Sequence, residues 1–130
     1  MTNESGPREG QATAAPLAAD SAMSGSVAQV EWAERIKRQV NVEFDRVAGA
    51  FRGFARRQDD ARRADTEAVL GILEEKRAEV MGKQQAAYFI HDWQEIGDQV
   101  RQMIFRDPRY QAIKSNREAR RRWAVERRMP

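Results

Sequence analysis

Large apolar side chains recur at helical spacing in three stretches of the chain. Val40, Phe44, Val47, Phe51 and Phe54 follow one another at intervals of 4, 3, 4 and 3, and Val30, Ala33 and Ile36 extend the row upstream. Residues at these intervals stack on one helix face, so the pattern predicts a helix over 27–57, about 46 Å long. Ser26 and Gln29 have the spacing of a capping box at its start. A second helix is expected over 61–81 from Val69, Ile72, Leu73 and Val80, with Gly82 placed as its C′ stop. The third stretch, 84–106, repeats the interval pattern in Phe89, Trp93, Ile96, Val100 and Met103, widened by Ile90 and Ile104. Asp107-Pro108 then reads as the N-cap and first residue of a fourth helix, where proline loses no useful N–H. That helix carries Tyr110, Ile113 and Trp123 and is otherwise mostly arginine.

No stretch alternates polar and apolar residues as a half-buried strand would. The expected class is all-α, a small antiparallel bundle of three to four helices with a long first helix. Residues 56–67 hold no large apolar side chain, and neither glycine nor proline forces a turn there. A turn near Asp59-Asp60 is favoured, since a monomer must fold back. The alternative is one rod over 27–81, roughly 82 Å long, whose apolar face a partner chain would cover in coiled-coil fashion.

Residues 1–25 contain Gly6, Pro7, Gly10, Pro16 and Gly25 among small polar side chains. Such a segment buries too little surface to offset its ordering entropy. It is expected to be a disordered tail before a bundle over 26–106 and a basic C-terminal helix over 107–130. Met23, at the end of this tail, is a candidate alternative start.

Charge sharpens this division. The chain has 130 residues, 23 Lys and Arg, 20 Asp and Glu, one His and no Cys. Residues 1–26 sum to −2, residues 27–106 to zero and residues 107–130 to +5. An asymmetry of this kind points to a polyanionic partner. Without cysteine there is no disulfide, thiol nucleophile or thiolate metal site. No apolar run approaches the roughly 20 residues of a membrane span, and no basic start with an apolar core suggests a signal peptide. A cytoplasmic location is expected.

The candidate chemistry is sparse. His91 and Glu95 lie four apart and would share a helix face, but a zinc site needs three or four ligands. Glu74, Glu75 and Glu79, and Asp92, Glu95 and Asp98, form carboxylate clusters. Lys76, Arg77, Arg101 and Arg106 interleave with them as on a solvated, ion-paired face. Asp92 or Glu95 as a base is a distant reading that needs a buried cleft. With no phosphate loop, nucleophile elbow or metalloprotease motif, neither catalysis nor a cofactor or metal is expected. Gly49 and Gly53 leave room for a close helix approach, as do Gly71 and Gly97.

Two functional readings follow. The first is a non-enzymatic interaction or oligomerisation protein. It would associate with itself or another helical protein through the faces bearing Val40, Phe44, Val47, Phe51 and Phe54, and Phe89, Trp93, Ile96, Val100 and Met103. The second is a nucleic-acid-binding accessory protein. Its polyanion contacts would be Arg109, Lys114, Arg117, Arg120, Arg121, Arg122, Arg127 and Arg128 on phosphate backbones, with Trp123 stacking on an exposed base.

Overall fold

The structure, a computed structural model, describes residues 23–128. Its elements are five helices: α1 (Val27–Ala55), α2 (Asp60–Met81), α3 (Ala86–Asp92), α4 (Ile96–Phe105) and α5 (Pro108–Arg128). The described residues form no strand, and one isolated bridge joins Ser24 to Gln85. The fold is all-α, as the periodicity indicates.

The start of α1 is the expected capping box. Ser26 Oγ accepts from the Gln29 N–H at 3.2 Å, and Gln29 Oε1 accepts from the Ser26 N–H at 2.9 Å. Two of the orphan donors of the first turn are thereby satisfied. The core face of α1 carries Ala33, Val40, Phe44, Val47 and Ala48.

The chain folds back after Ala55 without glycine or proline. Three polar interactions make this turn. Asp59 caps α2 by accepting from the Arg62 N–H at 2.9 Å. The Arg63 guanidinium donates to the carbonyls of Ala55 at 3.2 Å and Gln58 at 3.0 Å. Thr66, buried on α2, donates to Gln58 Oε1 at 2.7 Å. Arg63 thus adds a donor to the Ala55 carbonyl at the end of α1, which also accepts from the Gln58 N–H at 3.2 Å, and satisfies the Gln58 carbonyl in the turn. The fold-back presses Val69, Ile72, Leu73 and Val80 of α2 into the core. The single rod over 27–81 is not formed.

Gly82 is the C-cap of α2 with φ −82°, a right-handed conformation and not the left-handed C′ position expected for it. The glycine that the backbone requires is Gly25, at φ +145°, where a Cβ would lie 3.0 Å from the Ala86 Cβ. Gly25 turns the chain so that Ser24 pairs with the α2–α3 connection: its N–H donates to Gln84 O at 2.8 Å, and its carbonyl accepts from the Ala86 N–H at 3.0 Å. Of the expected disordered tail, residues 1–22 lie outside the described residues. The described residues begin at Met23, three residues before the expected Ser26, and the Met23 side chain is buried in the core.

The helix expected over 84–106 is two helices. Trp93 (φ −116°, ψ 66°) and Glu95 (φ −128°, ψ 65°) leave helical geometry between α3 and α4. Gln99 closes the gap: its Oε1 accepts from the Glu95 N–H at 2.8 Å, and its Nε2 donates to the Asp92 carbonyl. One amide therefore satisfies a C-terminal carbonyl of α3 and the N-cap N–H of α4. The break lets Trp93 turn into the core, where its ring meets Phe44 edge-on with centroids 6.5 Å apart.

The fully buried side chains Val40, Phe44, Leu73, Val80, Phe89, Val100 and Ile104 come from the first four helices. Helix α1 packs against α2, α3 and α4, whereas α5 lies against α2 and α4 only. No helix approaches Gly49, Gly53 or Gly71 within 4 Å of a built Cβ, so the close crossing these glycines suggested is not made within the described residues. Gly97 has only ordinary contact with Glu43. Phe44, fully buried against Trp93, is the place to test this core: Phe44→Ala should destabilise the chain by about 3–5 kcal/mol, measured by urea unfolding.

Candidate polyanion-binding end

Helix α5 starts where Asp107 caps it. Asp107 Oδ1 accepts from the Arg109 N–H at 2.8 Å and from its Nε at 3.0 Å, and Oδ2 accepts from Arg109 Nη2 at 2.9 Å. Lys76 Nζ of α2 lies 3.2 Å from Oδ2. The same Arg109 reaches Glu75 at 2.5 Å. Hydrogen bonds from Arg109 hold the buried Asp107 carboxyl well below its ordinary value of 3.8, against the opposing effect of its burial. They also lower Glu75, while Asp107 and then Glu75 raise Arg109.

Further along, Arg117 donates through Nη2 to Thr66 Oγ1 at 3.3 Å and to the Arg62 carbonyl at 3.4 Å. Arg120 Nη2 reaches Asp65 at 2.5 Å. As residue numbers rise along α5, those of its partners on α2 fall from Glu75 to Thr66 and Asp65, so the two helices are antiparallel. Tyr110 and Ile113 supply the apolar part of the contact, half-buried against the core.

These contacts divide the expected polyanion set in two. Arg109, Arg117 and Arg120 are engaged with carboxylates of α2 and the α4–α5 junction, and they dock the helix. Lys114, Arg121 and Arg122 form no ion pair among the described residues, and Arg127 stacks over the Trp123 ring at 4.7 Å. From Ala119 to Arg127 every residue is exposed, including Trp123 at 59% and Val125 at 55%. Arg128 ends the helix, and its side chain lies outside what is described. The last turns of α5 thus run past the N-terminus of α2, and their residues from Arg122 to Arg127 are exposed among the described residues.

The fold adds basic residues that the sequence reading left out. The 56–59 turn brings Arg56 and Arg57 to this same end, neither in an ion pair among the described residues. Arg62 joins Arg117, Arg120, Arg121, Gln58, Asp59, Ala61 and Ala124 around a cleft of about 430 Å³. The run RRQDDARR contains the signal, since six of its eight side chains are charged.

The apolar stripes went elsewhere. Val40, Phe44, Val47, Phe89, Trp93 and Val100 are buried in the chain's own core, and Phe51, Ile96 and Met103 pack partly against it. Phe54 is the exception at 55% exposed. It joins Val47, Ala50, Phe51 and Phe105 in a hollow of about 170 Å³ edged by Arg46 and Arg101.

The chain matches no family model, no curated protein and no solved structure. Its residues alone carry the functional argument.

The remaining candidates separate on the fold. The α3–α4 break falls between His91 and Glu95, so they no longer share one helix face. No three His, Cys, Asp or Glu side chains come together as metal ligands among the described residues. Nor is any helix among them long and apolar enough to cross a membrane.

The docking of α5 has a pH signature. Because the Asp107 pKa is depressed in the fold, its ionised form stabilises the native state above the ordinary pKa of 3.8, and that stability is lost as pH falls below this value. Asp107→Asn should therefore be less stable than wild type at neutral pH, and the gap should narrow as pH drops below about 4. Urea unfolding of both proteins across that range measures it.

Proposed function

We propose that the protein is a non-enzymatic binding module that holds nucleic acid by its phosphate backbone at the basic end. The observation that carries this reading is the division of cations along α5. Part of the set is ion-paired in docking the helix, and the rest, with Arg56 and Arg57 beside it, forms no ion pair among the described residues. Lys and Arg in this state attract phosphates and release condensed counterions on binding, which gives affinity with a steep salt dependence and little sequence preference. Exposed Trp123 adds a ring on which an unpaired base can stack.

Lys114→Ala, Arg122→Ala and Arg127→Ala combined should weaken binding to random duplex DNA uniformly across sequences. The slope of log affinity against log salt should flatten by about 0.9 for each phosphate contact removed. Fluorescence anisotropy between about 50 and 200 mM salt reads both effects. A loss confined to particular sequences, or an unchanged salt slope, would count against backbone binding.

Helix-face association with itself or another helical protein has a separate observation in its favour, the hollow around Phe54. An apolar side chain more than half exposed beside Phe51 and Phe105 gives a partner's side chain an apolar seat. On this reading Phe54→Glu abolishes concentration-dependent association in sedimentation equilibrium. A wild-type chain that stays monomeric at all concentrations would refute self-association through this face.

A further inference from the structure

We propose that the cleft between the α1–α2 turn and α5 binds an oligophosphate group, a chain of two or three linked phosphates, as a site distinct from the surface that contacts nucleic-acid backbones. The inference deepens the polyanion reading and rests on it. The cleft has a volume of about 430 Å³ and is lined by Arg62, Arg117, Arg120 and Arg121. Asp59 is its one acidic residue.

The N-terminus of α2 is already capped by Asp59, so the guanidinium groups must supply the binding. Their donors are incompletely used. The Arg121 side chain forms no ion pair or hydrogen bond among the described residues. Arg117 Nε is buried without a hydrogen bond, with the Asp65 carboxylate 3.7 Å away. Arg62 reaches Asp59 only at 3.9 Å. An arginine carries five N–H donors in a planar fork that matches phosphate oxygens two at a time. The little-used forks of Arg62 and Arg121, with the remaining donors of Arg117 and Arg120, face one concave volume and suit several phosphates presented close together. The backbone phosphates of a duplex lie on a convex surface and are separated by sugars, so they fit the protruding helix better than the cleft. A linked phosphate chain is compact enough to enter, whether it belongs to a free nucleotide or to the 5′ end of an RNA.

The test is isothermal titration of the full chain with tripolyphosphate, ATP, and one oligoribonucleotide carrying either a 5′-triphosphate or a 5′-hydroxyl. Two double variants separate the sites. Arg62→Gln/Arg121→Gln alters the cleft while leaving the Arg117 and Arg120 contacts to α2 in place. Arg122→Gln/Arg127→Gln alters only the protruding end. Circular dichroism confirms that both fold.

The expected result is one tripolyphosphate per chain, weakened about tenfold or more in the cleft variant and by less than about twofold in the other. A 5′-triphosphate RNA bound more tightly than both ATP and its 5′-hydroxyl form would identify an RNA end as the source of the group. ATP binding as tightly as that RNA would identify a free nucleotide. The inference is overturned if the two variants lose tripolyphosphate affinity equally, or if tripolyphosphate fails to bind at low salt while duplex DNA binds. In either case backbone binding stands without the cleft. If neither ligand binds, both readings fall.

Discussion

The organisation of the molecule depends on the fold-back between α1 and α2, which polar side chains make without help from glycine or proline. Arg63 caps the end of one helix with its guanidinium while Asp59 starts the next, and Gln58 reaches Thr66 to hold the two ends together. Because the turn closes, Val69, Leu73 and Val80 lie against the row from Val40 to Val47, and a stripe that would otherwise need a second chain is covered by this one. The same closure exposes Arg56 and Arg57 and brings α2 into reach of α5. Core and basic end therefore have a common origin in one eight-residue segment that contains no large apolar side chain.

Electrostatics then divides α5 by function. Its first half is held by Arg109 on Glu75 and Asp107, and by Arg117 and Arg120 around Asp65 and Thr66. Pairs between such exposed side chains are individually weak, but buried Asp107, fixed by both Arg109 and Lys76, is the firm point from which the helix departs. Beyond Asp65 the remaining acids at the start of α2, Asp59 and Asp60, are taken by Arg62 and Arg63, and Arg121 and Arg122 form no ion pair among the described residues. The division between docking and free arginines is thus set by where Asp65 lies on the opposing helix.

Much of the fold was legible in the sequence, and the reasons for the rest are specific. The capping box at Ser26, the Asp107-Pro108 helix start and most of the core faces could be read because each is local: a side chain, its own backbone and one helical period. The break between α3 and α4 could not. Phe89, Trp93, Ile96, Val100 and Met103 keep an unbroken helical interval, and the break is held by Gln99 reaching back seven residues to Asp92, a tertiary choice that leaves the apolar period intact. Phe54 continued the stripe on paper, yet it lies more than half exposed in the last turn of α1, at the edge of the hollow it shares with Phe105. The candidate site divided likewise. Helix α5 stood out as an arginine-rich segment, but only three-dimensional pairing tells Arg109, Arg117 and Arg120 from Arg121 and Arg122, and only the turn brings in Arg62.

The protruding end of α5 has a thermodynamic consequence. Starting a helix is the unfavourable step, and adding residues to an existing one is nearly neutral. The docked turns from Pro108 to Arg120 act as a permanent nucleus, so the turns beyond them inherit helical geometry although their side chains are exposed. A free peptide of the same arginine-rich sequence would have to lose that conformational entropy on meeting its target. Attached here, its cations are spaced in advance on a helical scaffold, and on the proposed reading the bundle's contribution to recognition is to have ordered an exposed surface ahead of binding.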